Sequence, residues 1–159
     1  MYQKYSFLLE SEEIDEEDRK RFKLLKSGEG SKILVIRSLS LLMRLLENYY
    51  HKQMILLIDE YDVPIAKASS KGYYQQMLEI IRGMMSTALK DNTSLKFAVI
   101  TGCLQIAKES IFTGTNNFVT DTIANTGFNE YFGFTQQEVN KILELSLIHI
   151  SEPTRHSLI

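Results

Sequence analysis

Residues 54–62, MILLIDEYD, place five apolar side chains directly before the adjacent acids Asp59 and Glu60. An apolar run of this length without polar alternation is typical of a buried parallel strand, about 17 Å long, with helices over both faces of its sheet. The acids then lie at the carboxyl end of the strand, where open α/β sheets bind their ligands. The stretch therefore predicts an α/β protein with a candidate site at this sheet edge.

Two adjacent carboxylates at such an edge suit nucleotide hydrolysis. In P-loop NTPases one acid at this place holds Mg²⁺, usually through water, and the next can polarise the water that attacks the γ-phosphate. Asp59 fits the first role and Glu60 the second. A plain strand followed by a solvated turn would give the same pattern. Val63-Pro64 predicts that regular secondary structure is interrupted just after the acids.

Helical patterns lie on both sides of this strand. Apolar residues recur at helical spacing from Leu39 to Tyr49, and a second apolar stripe runs from Met77 to Ala88. Between the strand and the second stripe, residues 69–72 predict a polar turn. Residues 2–26 predict a helix, an acidic turn and another helix.

Residues 95–102, LKFAVITG, predict a second buried parallel strand, so that strand, helix and strand form a right-handed crossover unit. Thr101 ends this strand at the level of Asp59, where a hydroxyl could sense the γ-phosphate or position water. The hydroxyl could equally satisfy a nearby backbone group. Further on, Thr135 and Glu138 have the spacing of a capping box that opens a helix.

Composition excludes several classes of protein. A net charge of −2 with 24% charged and 44% hydrophobic residues is that of an ordinary globular protein and gives no general electrostatic case for nucleic acid. No apolar run approaches the roughly 20 residues of a membrane span. The single cysteine, Cys103, excludes an intrachain disulfide framework and favours a reducing cytoplasm. Because only His51 lies outside the last residues, neither a zinc site nor an activated Cys103 nucleophile can be assembled.

The sequence has no phosphate-binding loop of the form Gly, four residues, Gly-Lys-Ser/Thr. Its nearest stretch, residues 27–33, SGEGSKI, lacks the Gly-Lys-Ser/Thr ending and does not clearly follow a strand, so it is interpreted as a flexible linker.

The last residues of the chain have the sequence of a translated laboratory adapter. Residues 145–155, LSLIHISEPTR, match residue for residue the translation of a transposase sequencing adapter, followed by an index-like HSLI. We therefore expect residues 145–159 to be an adapter translation and not a domain, with the natural sequence ending near Glu144. Met1 is expected to be an internal methionine.

Three stretches together resemble the bacterial AAA-ATPase-like family over residues 2–144: ILLIDEYDVP at 55–64, FAVITGCLQIAKESIFTG at 97–114 and FNEYFGFT at 128–135. The resemblance implies a P-loop ATPase domain that uses ATP and Mg²⁺, often fused to a C-terminal PD-(D/E)XK nuclease-like domain. It places the Walker B acids on Asp59 and Glu60 and a polar sensor on Thr101. Asp62 also matches, without an assigned role, and Gln105 stands where relatives often have arginine.

The resemblance also implies that the phosphate loop and its strand lie before Met1. Residues 1–144 would then be a partial P-loop NTPase-type parallel sheet flanked by helices, missing its N-terminal strands. Such a fragment is expected to be catalytically inactive, because phosphoryl transfer needs the loop, its Lys and Mg²⁺ together. It is also expected to aggregate through unpaired sheet edges and exposed apolar faces.

Two other functions compete with ATP hydrolysis by an intact parent protein. The first is a non-catalytic interaction module that keeps the ATPase fold. The second is a metal-dependent nuclease or phosphatase that uses Asp59, Glu60 and Asp62 directly. The second is weaker, because two-metal chemistry needs carboxylates from different elements, and strand alternation sends Asp59 and Glu60 to opposite sides.

Overall fold

The computed structural model describes residues 1–102, 119–122, 127 and 133–150, with side chains up to residue 145. The chain divides into two compact units, Met1–Asn116 and Asn117–Ile159. Cys103 and Gln105, with most of the FAVITGCLQIAKESIFTG and FNEYFGFT stretches, lie outside the described residues.

The first unit contains a 3₁₀ helix, five α-helices and two strands among its described residues. In chain order these are the 3₁₀ helix Tyr2–Glu10, α1 (Glu16–Ser27), α2 (Lys32–Ile36), α3 (Ser38–Tyr50), β1 (Met54–Ile58), α4 (Val63–Ser70), α5 (Tyr74–Leu89) and β2 (Leu95–Ile100). The helix predicted from Leu39 to Tyr49, the helix with the Met77–Ala88 stripe and the two strands are all confirmed.

Strands β1 and β2 pair in parallel, with Leu56 opposite Ala98 and Ile58 opposite Ile100. These side chains belong to the inner face of the sheet. Helices α3 and α5 cover this face, because Leu39, Met43 and Ala88 pack in one cluster with Leu56. The α/β class is therefore confirmed as a small two-stranded parallel sheet flanked by helices.

The expectation that helices cover both faces of the sheet is wrong for the described part of the chain. The outer face carries Ile55 and Leu57 of β1 opposite Phe97 and Val99 of β2, and these four side chains are 51%, 71%, 48% and 49% exposed. The unbroken apolar run of β1 predicts burial on both faces, but no helix among residues 1–102 packs on the outer one.

This exposed face leads to a prediction about solubility. We expect Leu57→Thr to change the free energy of unfolding by less than about 0.5 kcal/mol, since the side chain is already in water, and to reduce self-association. Leu56→Thr is the matched control, because Leu56 is 9% exposed and its replacement is expected to cost about 3 kcal/mol. Denaturant unfolding and light scattering on the two variants measure both effects. Equal self-association of wild type and Leu57→Thr would contradict the prediction.

The predicted end of regular strand structure before Val63-Pro64 is present, since β1 ends at Ile58, but these residues start a helix where the sequence predicted a turn. Helix α4 begins at Val63 with Pro64 in its first turn, where proline is tolerated because the first N–H groups of a helix have no partner within it. The predicted polar turn therefore shrinks to residues between Ser70 and Tyr74. Residues 28–31 are likewise a short connection between helices, since Gly28 ends α1 in the left-handed region at φ 85° and the Ser31 side chain caps α2.

The N-terminal residues form a helical layer around Phe22. Tyr2, Leu8, Ile14 and Phe22 pack against the leucines of α3 in one core cluster. This layer confirms the predicted helix, acidic turn and helix, and the acidic turn includes Asp15, whose side chain accepts from the Asp18 N–H to cap α1.

The second unit contains α6 (Gln136–Ile150) among its described residues. The predicted capping box is confirmed, because the Thr135 N–H donates to the Glu138 carboxylate at 2.8 Å and the Glu138 N–H donates to the Thr135 hydroxyl at 3.3 Å. The Thr135 N–H and the Thr135 hydroxyl both donate to the Glu138 carboxylate, and these two hydrogen bonds lower the pKa of Glu138. The origin of residues 145–159 stays a prediction. In the described part of the chain, no helix combines the length and apolar character needed to cross a membrane.

Candidate carboxylate site at the sheet edge

The candidate site lies where β1 and β2 end, because the parallel pairing brings residues 58–61 beside residues 100–102. The Thr101 N–H donates to the Ile58 carbonyl at 2.8 Å, and the Tyr61 N–H donates to the Thr101 carbonyl at 3.1 Å. These bonds continue the sheet ladder past the last strand residues. The backbone that carries the two acids is therefore fixed relative to Thr101.

The Thr101 hydroxyl connects the two acidic residues. It donates to Oδ1 of Asp59, and its oxygen accepts the Glu60 N–H at 3.4 Å. Asp59, Glu60 and Thr101 are all exposed, so their polar atoms can reach a ligand in solvent. The juxtaposition of Thr101 and Asp59 expected from the sequence is thus present in the structure.

Glu60 has a left-handed backbone conformation, with φ at 54°. A residue with a Cβ pays roughly 1–3 kcal/mol for such a conformation, and residues of this kind concentrate at active sites. The turn here sends the chain from β1 into α4, and the Val63 N–H closes it by donating to the Glu60 carbonyl at 3.1 Å.

Tyr61 and Asp62 pack behind the site, against Gly102. Asp62 is 4% exposed, and burial, followed by the nearby Asp62 carboxylate, raises the pKa of the Tyr61 phenol. A Cβ on Gly102 would lie 2.5 Å from Cε1 of Tyr61 and 2.9 Å from Oδ1 of Asp62. Only glycine therefore allows the end of β2 to approach the Tyr61 ring this closely.

We expect Gly102→Ala to displace the Tyr61 ring and to lower the free energy of unfolding by about 1–3 kcal/mol, the usual cost of overpacking. Gly127→Ala is the matched control, since a Cβ there meets nothing within 4 Å. Chemical denaturation of both variants measures the difference. A Gly102→Ala protein as stable as the control would contradict the close packing of Tyr61 on this glycine.

The oxygen atoms at the site are of the type that Mg²⁺ prefers. No group of three His, Cys, Asp or Glu side chains within the described ranges is arranged to hold a metal ion. Mg²⁺ does not need such a cage, because it is usually bound by one or two carboxylates together with substrate phosphates and water. Asp59 therefore fits a metal that arrives with a nucleotide.

Comparison with known proteins identifies the family of the chain. Residues 6–112, about two thirds of the chain, match a family model described as a predicted AAA-ATPase. The chain belongs to this AAA-ATPase-like family. The matched region contains Asp59, Glu60 and Thr101, which confirms the resemblance at the level of the family.

A relative of this AAA-ATPase-like chain is an uncharacterized protein in the vnfD 5′ region of Azotobacter chroococcum mcd 1. It is 24% identical over 92 residues, which make up 57% of this chain and 18% of that protein. The chain thus spans less than a fifth of the length of this relative. No solved structure matches the chain.

Sequence reasoning named the three residues that meet at the sheet edge but missed two that support them. It gave no role to Tyr61 and none to Gly102. The only available signal was a glycine directly after Thr101, which is typical of close backbone approach at the end of a strand.

Proposed function

We propose that this chain supplies the metal- and water-handling edge of an ATP-hydrolysing site of the P-loop type. The observation that carries the proposal is the Thr101 hydroxyl, which joins the Asp59 carboxylate to the Glu60 backbone at the carboxyl edge of a parallel sheet. Membership of the AAA-ATPase-like family supports the same nucleotide.

Each of the three residues has a distinct task in this proposal. Asp59 would hold Mg²⁺, and the ion would supply positive charge against the phosphates of bound ATP. Glu60 accepts a proton from the attacking water as general base. Thr101 is the polar sensor in this proposal: its hydroxyl orients the Asp59 carboxylate and would sense the γ-phosphate or position the attacking water.

Binding of the ATP phosphates requires a further structural element. None of the 159 residues forms a Gly-Lys-Ser/Thr phosphate loop, and the rate of phosphoryl transfer depends on that loop as much as on the carboxylates. We therefore propose that the chain alone does not turn over ATP and that its activity belongs to a longer protein. An attached nuclease-like domain is part of the same proposal.

Steady-state release of phosphate from ATP tests the proposal on two proteins, this chain and the longer natural protein that contains it. We expect turnover by the longer protein, at roughly 1 s⁻¹ or above, and none by this chain. Turnover by this chain alone would contradict the need for a phosphate loop. A longer protein that carries the loop and binds ATP without hydrolysing it would support a non-catalytic interaction module instead.

A further inference from the structure

The first unit has a cleft of about 430 Å³ between helices α1, α2 and α3 and the loop from α5 to β2. Its wall includes residues 91–94, which precede β2, whereas Thr101 follows β2. This part of the wall is therefore separated from Thr101 by the length of β2, roughly 20 Å. The volume is in the range of small-molecule sites.

Three arginines line this cleft: Arg21, Arg37 and Arg44. Arg44 and Arg21 share the Asp18 carboxylate, at 2.7 Å and 3.3 Å. Arg21 also pairs with Glu17 at 3.3 Å, where both side chains are about half exposed and solvent weakens the pair. The Arg37 carbonyl accepts the Ser40 hydroxyl at 3.0 Å. The Arg37 guanidinium forms no ion pair or hydrogen bond in the described part of the chain, so this group is available to a ligand.

The rest of the wall decides which kind of ligand fits. Leu34 and Leu41 give the cleft an apolar side, and Asp91 is the one carboxylate that lines it. An arginine fork binds carboxylate and phosphate groups with two parallel hydrogen bonds. The charged side chains that line the cleft are therefore one carboxylate and three arginines, of which two are paired with Asp18, and Leu34 and Leu41 line the same cleft.

We propose that this cleft binds a small organic oxyanion, a phosphate monoester with an apolar body, through Arg37. The phosphate accepts from the Arg37 guanidinium while the body packs against Leu34 and Leu41. The negative charge of Asp91 repels the negative charge of the ligand and lowers its affinity. The site is separate from Asp59 and needs no metal.

Isothermal titration of the full chain with phenyl phosphate, in EDTA to remove Mg²⁺, tests the proposal. We expect Arg37→Gln to weaken binding about tenfold, because it removes a hydrogen-bonded charge. Asp91→Asn is expected to strengthen binding about two- to fourfold, and asparagine suits the left-handed backbone at φ 50°. Inorganic phosphate is expected to bind more weakly than phenyl phosphate, since it lacks the apolar body.

Two controls separate this site from other effects. Arg82→Gln removes the same charge outside the cleft and is expected to leave the affinity unchanged. Circular dichroism confirms that Arg37→Gln is folded, which its exposed position favours. The proposal is overturned if phenyl phosphate does not bind, if Arg37→Gln binds as wild type does, or if Arg82→Gln weakens binding equally.

Discussion

Replacing Glu60 with glutamine in the longer protein is expected to lower kcat for ATP hydrolysis about 10²- to 10⁴-fold, the usual contribution of a general base. Glutamine keeps the size of the side chain but cannot accept the proton of the attacking water. Because Glu60 does not hold the metal in this account, the affinity for ATP is expected to change less than about threefold. Single-turnover kinetics and equilibrium binding of ATP measure the two effects separately.

Glu47→Gln is a suitable control for that experiment, because Glu47 lies on α3, away from the sheet edge. We expect it to hydrolyse ATP at the wild-type rate. If Glu60→Gln also retained the wild-type rate, a different group would have to activate the water, and the role given to Glu60 would be wrong.

A large effect on stability is also expected from Arg44→Met. The Asp18 side chain is 3% exposed, and Arg44 holds both of its oxygens, at 2.7 Å and 2.9 Å. This pairing raises the pKa of Arg44. Without Arg44, the partner that remains for the buried carboxylate among the described residues is Arg21, at 3.3 Å. Loss of one partner of a buried pair costs about 3–5 kcal/mol, and we expect about 2–3 kcal/mol here because Arg44 itself is half exposed.

Two further variants check that the cost arises from the unpaired charge. Arg21→Met removes the weaker partner of the same carboxylate and is expected to cost less than about 1 kcal/mol. The double variant Asp18→Leu with Arg44→Met removes both charges and is expected to regain most of the stability. Urea unfolding of all three compares them directly. Equal losses for Arg21→Met and Arg44→Met would show that the two contacts contribute alike.

Helices α3 and α5 and both strands of the first unit follow closely from the sequence, because their apolar residues repeat at clear spacing. The α3 stripe from Leu39 and the β1 run at residues 54–58 each allow one interpretation. The meeting of Thr101 with Asp59 was predictable for the same reason. Parallel strands of similar length end at one edge, so polar residues that follow them become neighbours.

Other features depend on contacts that no local pattern encodes. Burial of both sheet faces was inferred from an apolar run, yet composition cannot say whether a covering helix packs there, and Leu57 is 71% exposed. Pro64 is compatible with a turn and with the first turn of a helix, and the structure has helix α4 from Val63. The Asp18–Arg44 pair joins residues 26 positions apart, and nothing in the charge pattern of α1 singles out Asp18.

The most direct measurement is the Mg²⁺ dependence of ATP hydrolysis by the longer protein, for wild type and for Asp59→Asn. Asparagine can still accept the Thr101 hydrogen bond but lacks the charge that holds the metal. We predict that Asp59→Asn raises the Mg²⁺ concentration for half-maximal rate at least about tenfold and lowers kcat. An unchanged Mg²⁺ dependence at the wild-type rate would show that Asp59 does not hold the metal, and would contradict the assignment of this sheet edge as the hydrolytic site.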